Sequence, residues 1–154
     1  MDIGDLVTPA SIVANLRVPN KRQALQELAK RAAQLTDQHE RVIFDVLLER
    51  ERLGSTGVGQ GIAIPHGRIP GLTRLHGLFA RLERPIPFES IDDQPVDLIF
   101  LLLAPTSAGA DHLKALARIS RLLRERAICE KLRGTDKADA LYALLTDRAA
   151  SHAA

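Results

Sequence analysis

The sequence predicts a single α/β domain, a mixed β-sheet flanked by helices, and three observations carry that prediction. The chain has 154 residues, 45% apolar and 26% charged, which is an ordinary composition for one globular domain and enough to bury roughly two thirds of the unfolded surface. Leu98-Ile99-Phe100-Leu101-Leu102-Leu103-Ala104 is an apolar run closed by Pro105, the pattern of a strand covered on both faces. The elements then follow a mixed order: strand, two helices, several strands, two helices. That order argues against a regular βαβ repeat.

Residues 11–18 read as the first strand, with Ile12, Ala14 and Leu16 alternating against Val13 and Asn15, and end at Val18-Pro19-Asn20. Asn20 is an N-cap with Gln23 three residues on. Leu25, Leu28, Ala29, Ala32 and Leu35 then mark an amphipathic helix over 21–35. Asp37 and Glu40 repeat the capping signal. Val42, Ile43, Val46 and Leu47 carry a second helix that ends in Glu49-Arg50-Glu51-Arg52. Residues 62–64 form a short apolar strand, and residues 75–82 another, broken by Pro85-Ile86-Pro87. After residues 106–109 a long helix is marked by Leu113, Leu116, Ile119, Leu122 and Leu123. Gly134-Thr135-Asp136 starts the last helix, with Leu141, Leu144 and Leu145. Residues 1–148 form the domain, and residues 149–154 are expected to be a frayed tail.

Composition removes several function classes. One cysteine, Cys129, allows no internal disulfide and fits a reducing compartment. The acidic N-terminus shows no secretory signal, and no apolar stretch could insert in a membrane. A cytoplasmic location is expected. A net charge of +2 and 3% aromatic residues argue against nucleic acid as a partner. His66, His76 and His112 lack metal-ligand spacing, so no metal is expected, and no cofactor. His39 reads as a solvated first-turn residue, and His76 as a structural residue within a strand.

The chemistry concentrates in one segment. Seven of the ten glycines lie between Gly54 and Gly77. Gly54 and Gly59 have P-loop spacing, but Gln60 stands where the lysine is required. Gly57, Gly59 and Gly61 follow a helix, not a strand, which disfavours a dinucleotide fingerprint. What remains is a glycine-rich approach, the strand Ile62-Ala63-Ile64, and Pro65-His66-Gly67-Arg68. Pro65 fixes the backbone beside His66, and Gly67 leaves that flank of the ring clear. Neutral imidazole is a competent nucleophile near pH 7. Glycine-exposed amides and the guanidinium groups of Arg50, Arg52 and Arg68 suit a phosphoryl group in transit.

The stretch Gly54-Ser55-Thr56-Gly57-Val58-Gly59-Gln60-Gly61-Ile62-Ala63-Ile64-Pro65-His66-Gly67-Arg68 resembles the active-site signature of the fructose/mannitol-type enzyme IIA domains of the bacterial phosphotransferase system. Within that group it is most similar to the nitrogen-regulatory branch. The resemblance extends over residues 91–105 and Asp111-His112-Leu113, and runs from the N-terminal region to about residue 147. It implies a mixed, five-stranded-type sheet with helices on both faces, and no fused IIB or membrane domain. It implies that His66 accepts a phosphoryl group on Nε2, with Nδ1 held by a backbone carbonyl. The family's active-site arginine matches Arg50, and its second histidine matches His112. Ser55, Thr56, Gly57, Gly59, Gly61, Pro65 and Gly67 form the phosphoryl-cradling loop, with Arg52 and Arg68 as further candidates. The implied donor is a small phosphocarrier protein of the HPr/NPr type. Implied targets are regulated proteins, with potassium transport and sensor kinases as family-level expectations. Two alternatives stay open: transfer onward to a separate IIB protein in sugar transport, and a binding module without turnover.

The neighbouring residues have plainer readings. Asp111 is a helix cap. Glu49 and Glu51 bracket Arg50 as surface charge partners. Ser55 and Thr56 are loop hydrogen-bonders. Lys114, Arg118, Arg121, Arg124, Arg126, Lys131 and Arg133 outweigh Glu125 and Glu130. That run reads first as a solvated helix face, then as a docking surface for an acidic partner, with nucleic acid a third option weakened by the lack of aromatics and of basic residues in the glycine loop.

Overall fold

The computed structural model describes residues 1–147, so the expected tail at 149–154 lies outside the described residues. In chain order the elements are β1 (Ile12–Leu16), α1 (Lys21–Thr36), α2 (Glu40–Arg52), β2 (Gly57–Gly59), β3 (Ile62–Ala63), β4 (His66–Ile69), β5 (His76–Ile86), β6 (Val96–Pro105), α3 (Ala110–Leu123), α4 (Arg126–Arg133) and α5 (Ala138–Thr146). All six strands join one sheet in the order β1-β5-β6-β3-β2, with β4 also paired to β6. The sheet is mixed. β1 runs parallel to β5, β5 antiparallel to β6, and β3 and β4 both parallel to β6. It has six strands where the family resemblance implied five, because the glycine segment contributes three short pieces.

β6 is the centre, as its unbroken apolar run requires. Its alternation divides the core in two. Ile99, Leu101 and Leu103 join the cluster under α1 and α2, with Leu25, Leu28 and Leu47. Leu98, Phe100 and Leu102 join the cluster under α3, α4 and α5, with Ile119, Leu132 and Leu141. Helices therefore cover both faces, and every residue from Val96 to Pro105 except Asp97 is buried.

The predicted cap at Asn20 is present, its side chain accepting from the Gln23 amide at 2.9 Å. Four local readings need correction. Asp37 does not cap the second helix; it closes α1 in a left-handed conformation, φ 55°, its amide bonded to the Ala33 carbonyl, and His39 stands at the start of α2. β5 does not break at Pro85 but runs on to Ile86. Its pairing with β6 is irregular between Arg81 and Ile86, so the missing proline N–H falls where the ladder has no bond to lose. Among the described residues three helices follow β6, not two, because the chain turns at residues 124–125 and starts α4. Leu113 is not on the apolar stripe of α3; it is 68% exposed. No described helix is long and apolar enough to cross a membrane.

Candidate active site

The site forms where one edge of the sheet is interrupted. β3 and β4 pair with the same side of β6, and Ile64-Pro65 separates them. Pro65 has no N–H, but its carbonyl accepts from Leu102 at 3.0 Å, and the Ile64 amide turns away to the Thr56 carbonyl at 3.0 Å. The Ile64 carbonyl is left for His66, whose Nδ1 lies 2.8 Å from it. A carbonyl can only accept, so in the neutral ring Nδ1 carries the proton and Nε2 the lone pair. His66 is half-buried. Burial pushes its pKa below the usual histidine value, and the Arg50 charge pushes the same way; the Ile64 carbonyl and the Glu51 carboxylate oppose them.

Strand alternation puts His66 and Arg68 on one face of β4 and Gly67 on the other. The need for glycine at position 67 differs from the sequence expectation. Its flank does not border the ring; it is pressed against α2, where a Cβ would lie 2.5 Å from Val46 Cγ1. Gly67 therefore lets α2 approach the sheet, and α2 carries Arg50 in its last turn.

On the other face, the first turn of α3 brings in His112. Its ring centroid is 5.6 Å from that of His66, with the planes at 71°. His112 is 7% exposed, and its Nε2 is buried with no hydrogen-bond partner. Burial first, then the neighbouring His66 and Arg68, hold its pKa low. An orphaned buried nitrogen is costly unless something completes it. Arg50 donates from Nη1 to the Gly54 carbonyl at 2.9 Å, and Arg68 from Nη1 to the Thr106 carbonyl at 3.2 Å. The Arg50 charge acts on His66, the Arg68 charge acts on His112, and the two rings are in contact, so the four side chains lie near one another. Arg52 does not join them; it pairs with Glu49 at 3.1 Å on the surface.

The loop residues are tied mainly to the protein itself. Ser55 Oγ donates to the Phe88 carbonyl at 2.7 Å and accepts from the Gly57 amide at 3.0 Å. The Gln60 amide donates to Asp92 at 2.9 Å. Cβ atoms at Gly57, Gly59 and Gly61 would meet Ser90, Asp92 and Arg133 respectively. Gly61 shows the constraint most sharply. It has φ of +81°, and a Cβ would lie 2.6 Å from Arg133 Nη2, a guanidinium held between Asp97 and the Gln60 carbonyl. These glycines seat the β2–β3 hairpin against the segment before β6. The amides of Thr56, Gly57 and Gln60 are already engaged within the protein.

Glu51 is the residue that sequence reasoning missed. It was expected on the surface beside Arg50, yet it is 8% exposed. Its carboxylate accepts from the Thr56 amide at 3.0 Å and from the Thr56 hydroxyl, and it pairs with Lys21 Nζ at 2.6 Å. A signal was available: Glu51 follows Ile43 and Leu47 at spacings of four, on the inward face of α2. Among the described residues no group of three histidine, cysteine or acidic side chains could hold a metal. His76 sits in β5, half-buried, away from this cluster beside a cavity under α1.

The arrangement presents one nucleophilic nitrogen with its second nitrogen anchored. An unsatisfied imidazole and two guanidinium groups stand nearby for an anion. Comparison with known proteins shows the family. Residues 5–148 match the family model described as phosphoenolpyruvate-dependent sugar phosphotransferase system, EIIA 2. The chain is 63% identical over 145 residues to a nitrogen regulatory protein of Bradyrhizobium diazoefficiens, covering 94% of this chain and 95% of that one. It is 42% identical over 129 residues to the Escherichia coli nitrogen regulatory protein, covering 83% and 79%. The crystal structure of nitrogen regulatory protein IIA-Ntr from Neisseria meningitidis superposes with a TM-score of 0.88 at 35% identity, over 94% of this chain and 99% of that one. The chain belongs to the EIIA 2 family of the phosphotransferase system, with nitrogen regulatory IIA proteins among its similar relatives.

Proposed function

We propose that His66 is a phosphoryl acceptor, and that this chain carries a phosphoryl group from the phosphohistidine of a small phosphocarrier protein and regulates partners by its phosphorylation state. The observation that supports this most is the pairing of an anchored His66 Nδ1 with an orphaned His112 Nε2 one ring away. The Nε2 lone pair of His66 attacks phosphorus as the donor's P–N bond breaks, and that bond's electron pair returns to the donor imidazole. The proton stays on Nδ1 throughout, donated in a hydrogen bond to the Ile64 carbonyl, so the ring accepts phosphorus without rotating. Arg50, and His112 with its proton on Nε2, donate to the phosphoryl oxygens and offset charge spread in the transition state. The product adds a charge of about −2 at a half-buried site, enough to change which surface a partner meets.

The test mixes the protein with phosphoenolpyruvate, enzyme I and the phosphocarrier. Acid-labile label is expected in the wild type and absent in His66→Ala; label that persists in His66→Ala overturns the proposal. The family description names a sugar phosphotransferase system, which favours one further reading, transfer from His66 to a separate IIB protein. Incubating the labelled protein with purified IIB proteins separates the two. Net transfer supports transport, and stable label with phosphorylation-dependent partner binding supports regulation.

A further inference from the structure

Outside the histidine pair, the most unbalanced feature of the molecule is the outer face of α3. Its inner positions His112, Ala115, Ile119, Leu122 and Leu123 are buried. Its outer face carries Lys114, Arg118, Arg121 and Arg124, at the three- and four-residue spacings that align side chains along a helix. No aspartate or glutamate occurs between residues 112 and 124. Elsewhere Arg17, Lys21, Arg31, Arg41, Arg52 and Arg133 each have an acidic partner; among the described residues none of these four does.

Apolar surface adjoins this stripe. Leu113 is 68% exposed and Val58 53%. Between the β2–β3 hairpin and the C-terminal half of α3 lies a groove of about 320 Å³ lined by Val58, Ile62, Ile64, Ser120, Leu123 and Arg124. The Ile64 in its floor is the residue whose carbonyl anchors His66. The stripe and the groove are therefore continuous with the site.

We propose that the outer face of α3 and this groove dock an acidic protein segment, its carboxylates along Lys114, Arg118, Arg121 and Arg124 and an apolar side chain in the groove. Charge complementarity argues for the acidic partner: four unmatched cations in a row repel one another until a negative surface arrives. The apolar floor argues for protein over nucleic acid, whose phosphate backbone has nothing to place there. The surface also carries a built-in response to phosphorylation, which rests on the function proposed for His66. With a rise of 1.5 Å per residue, Arg118 lies about 9 Å and Arg124 about 18 Å beyond His112 along the axis. Screening acts over about 8 Å at physiological salt. A phosphoryl group at His66 then weakens the start of the stripe and leaves its far end intact, so docking is reduced and not abolished.

The probe is a fluorescein-labelled helical peptide with glutamates on one face and leucines on the next. Its controls are the same peptide with lysine for glutamate, and a DNA duplex. With unphosphorylated protein, the acidic peptide is expected to bind and the lysine peptide not. Amide shifts should be confined to residues 113–124 and 58–64. Arg118→Glu combined with Arg121→Glu should weaken binding at least tenfold while the protein's melting temperature is retained, and added salt should weaken it further. Binding unaffected by that double reversal, shifts elsewhere, tighter binding of the duplex, or no binding at all would each overturn the docking proposal and leave the role of His66 untouched. With phosphorylated protein a several-fold loss of affinity is expected; an unchanged affinity would remove the switch and keep the surface.

Discussion

Replacing Glu51 with alanine leaves the Lys21 ammonium, in a crowded place, with only the exposed Glu89 carboxylate 3.6 Å away as counter-ion. In the native protein that carboxylate sits 2.6 Å from Lys21 Nζ, with side chains 3% and 17% exposed. It also closes the loop by accepting from the Thr56 amide. Removing one partner of a buried ion pair costs about 3–5 kcal/mol. The residual exposure of Lys21 and its contact with the Phe88 ring place the cost near the lower end, about 3 kcal/mol. In a chain of this size that lowers the melting temperature by roughly 6–12 °C. Calorimetry or circular dichroism reads the shift. A double-mutant cycle with Lys21→Met should recover part of the loss, because the second change removes the stranded charge. The Thr56 amide also loses its acceptor, so the 54–57 loop that receives the Arg50 guanidinium loosens and phosphoryl uptake should slow. If Glu51→Ala melts within about 2 °C of the wild type, or Lys21→Met adds its full cost on top, Glu51 does not hold the loop as argued.

Four other outcomes follow. His112→Ala should slow phosphoryl uptake at least tenfold in rapid-quench labelling, while His112→Gln, which keeps a donor, recovers part of it. Gly67→Ala should destabilise by about 1–3 kcal/mol through the clash with Val46 Cγ1, read as a lower denaturation midpoint. Because the pKa of His66 is held below its ordinary value of about 6.5, the uptake rate should stay level from pH 8 down past 6.5 and fall only in more acid solution. Folded His66, His76 and His112 all resist protonation, whereas the unfolded chain takes up protons as pH drops through about 6.5. Their combined contribution to stability is therefore flat above that pH and declines below it, as urea titrations at several pH values would record.

Much of the fold was legible because its signals were local or unambiguous. The β6 run could only be a doubly covered strand, and the Asn20 cap fixed the start of α1. Errors arose where a residue's role depended on a distant neighbour. Pro85 looks like a breaker until β6 is known to skip its pairing there, and Asp37 resembles an N-cap until its left-handed turn is seen to close α1. The site was partly legible in the same way. Pro65 and His66 announced themselves through spacing, but the reason for Gly67 is a valine on α2, twenty-one residues earlier. Glu51 reads as surface charge in sequence, because its partners Lys21 and Thr56 meet only in the folded chain. The glycines of β2 and of the turn into β3 were expected to open amides to an anion. Three of the loop's amides instead bond inward, so the function proposed for His66 leans on Arg50 and His112 for contacts to the phosphoryl oxygens.

The central claim is that His66 Nε2 is the nitrogen that bonds to phosphorus. Nitrogen NMR of protein carrying labelled histidine, recorded before and after phosphoryl transfer, reads this directly. The expected result is a His66 ring protonated at Nδ1 at the start, and phosphorus coupling at Nε2 afterwards with the Nδ1 proton retained. Coupling at Nδ1, or at the ring of another histidine, would contradict the account.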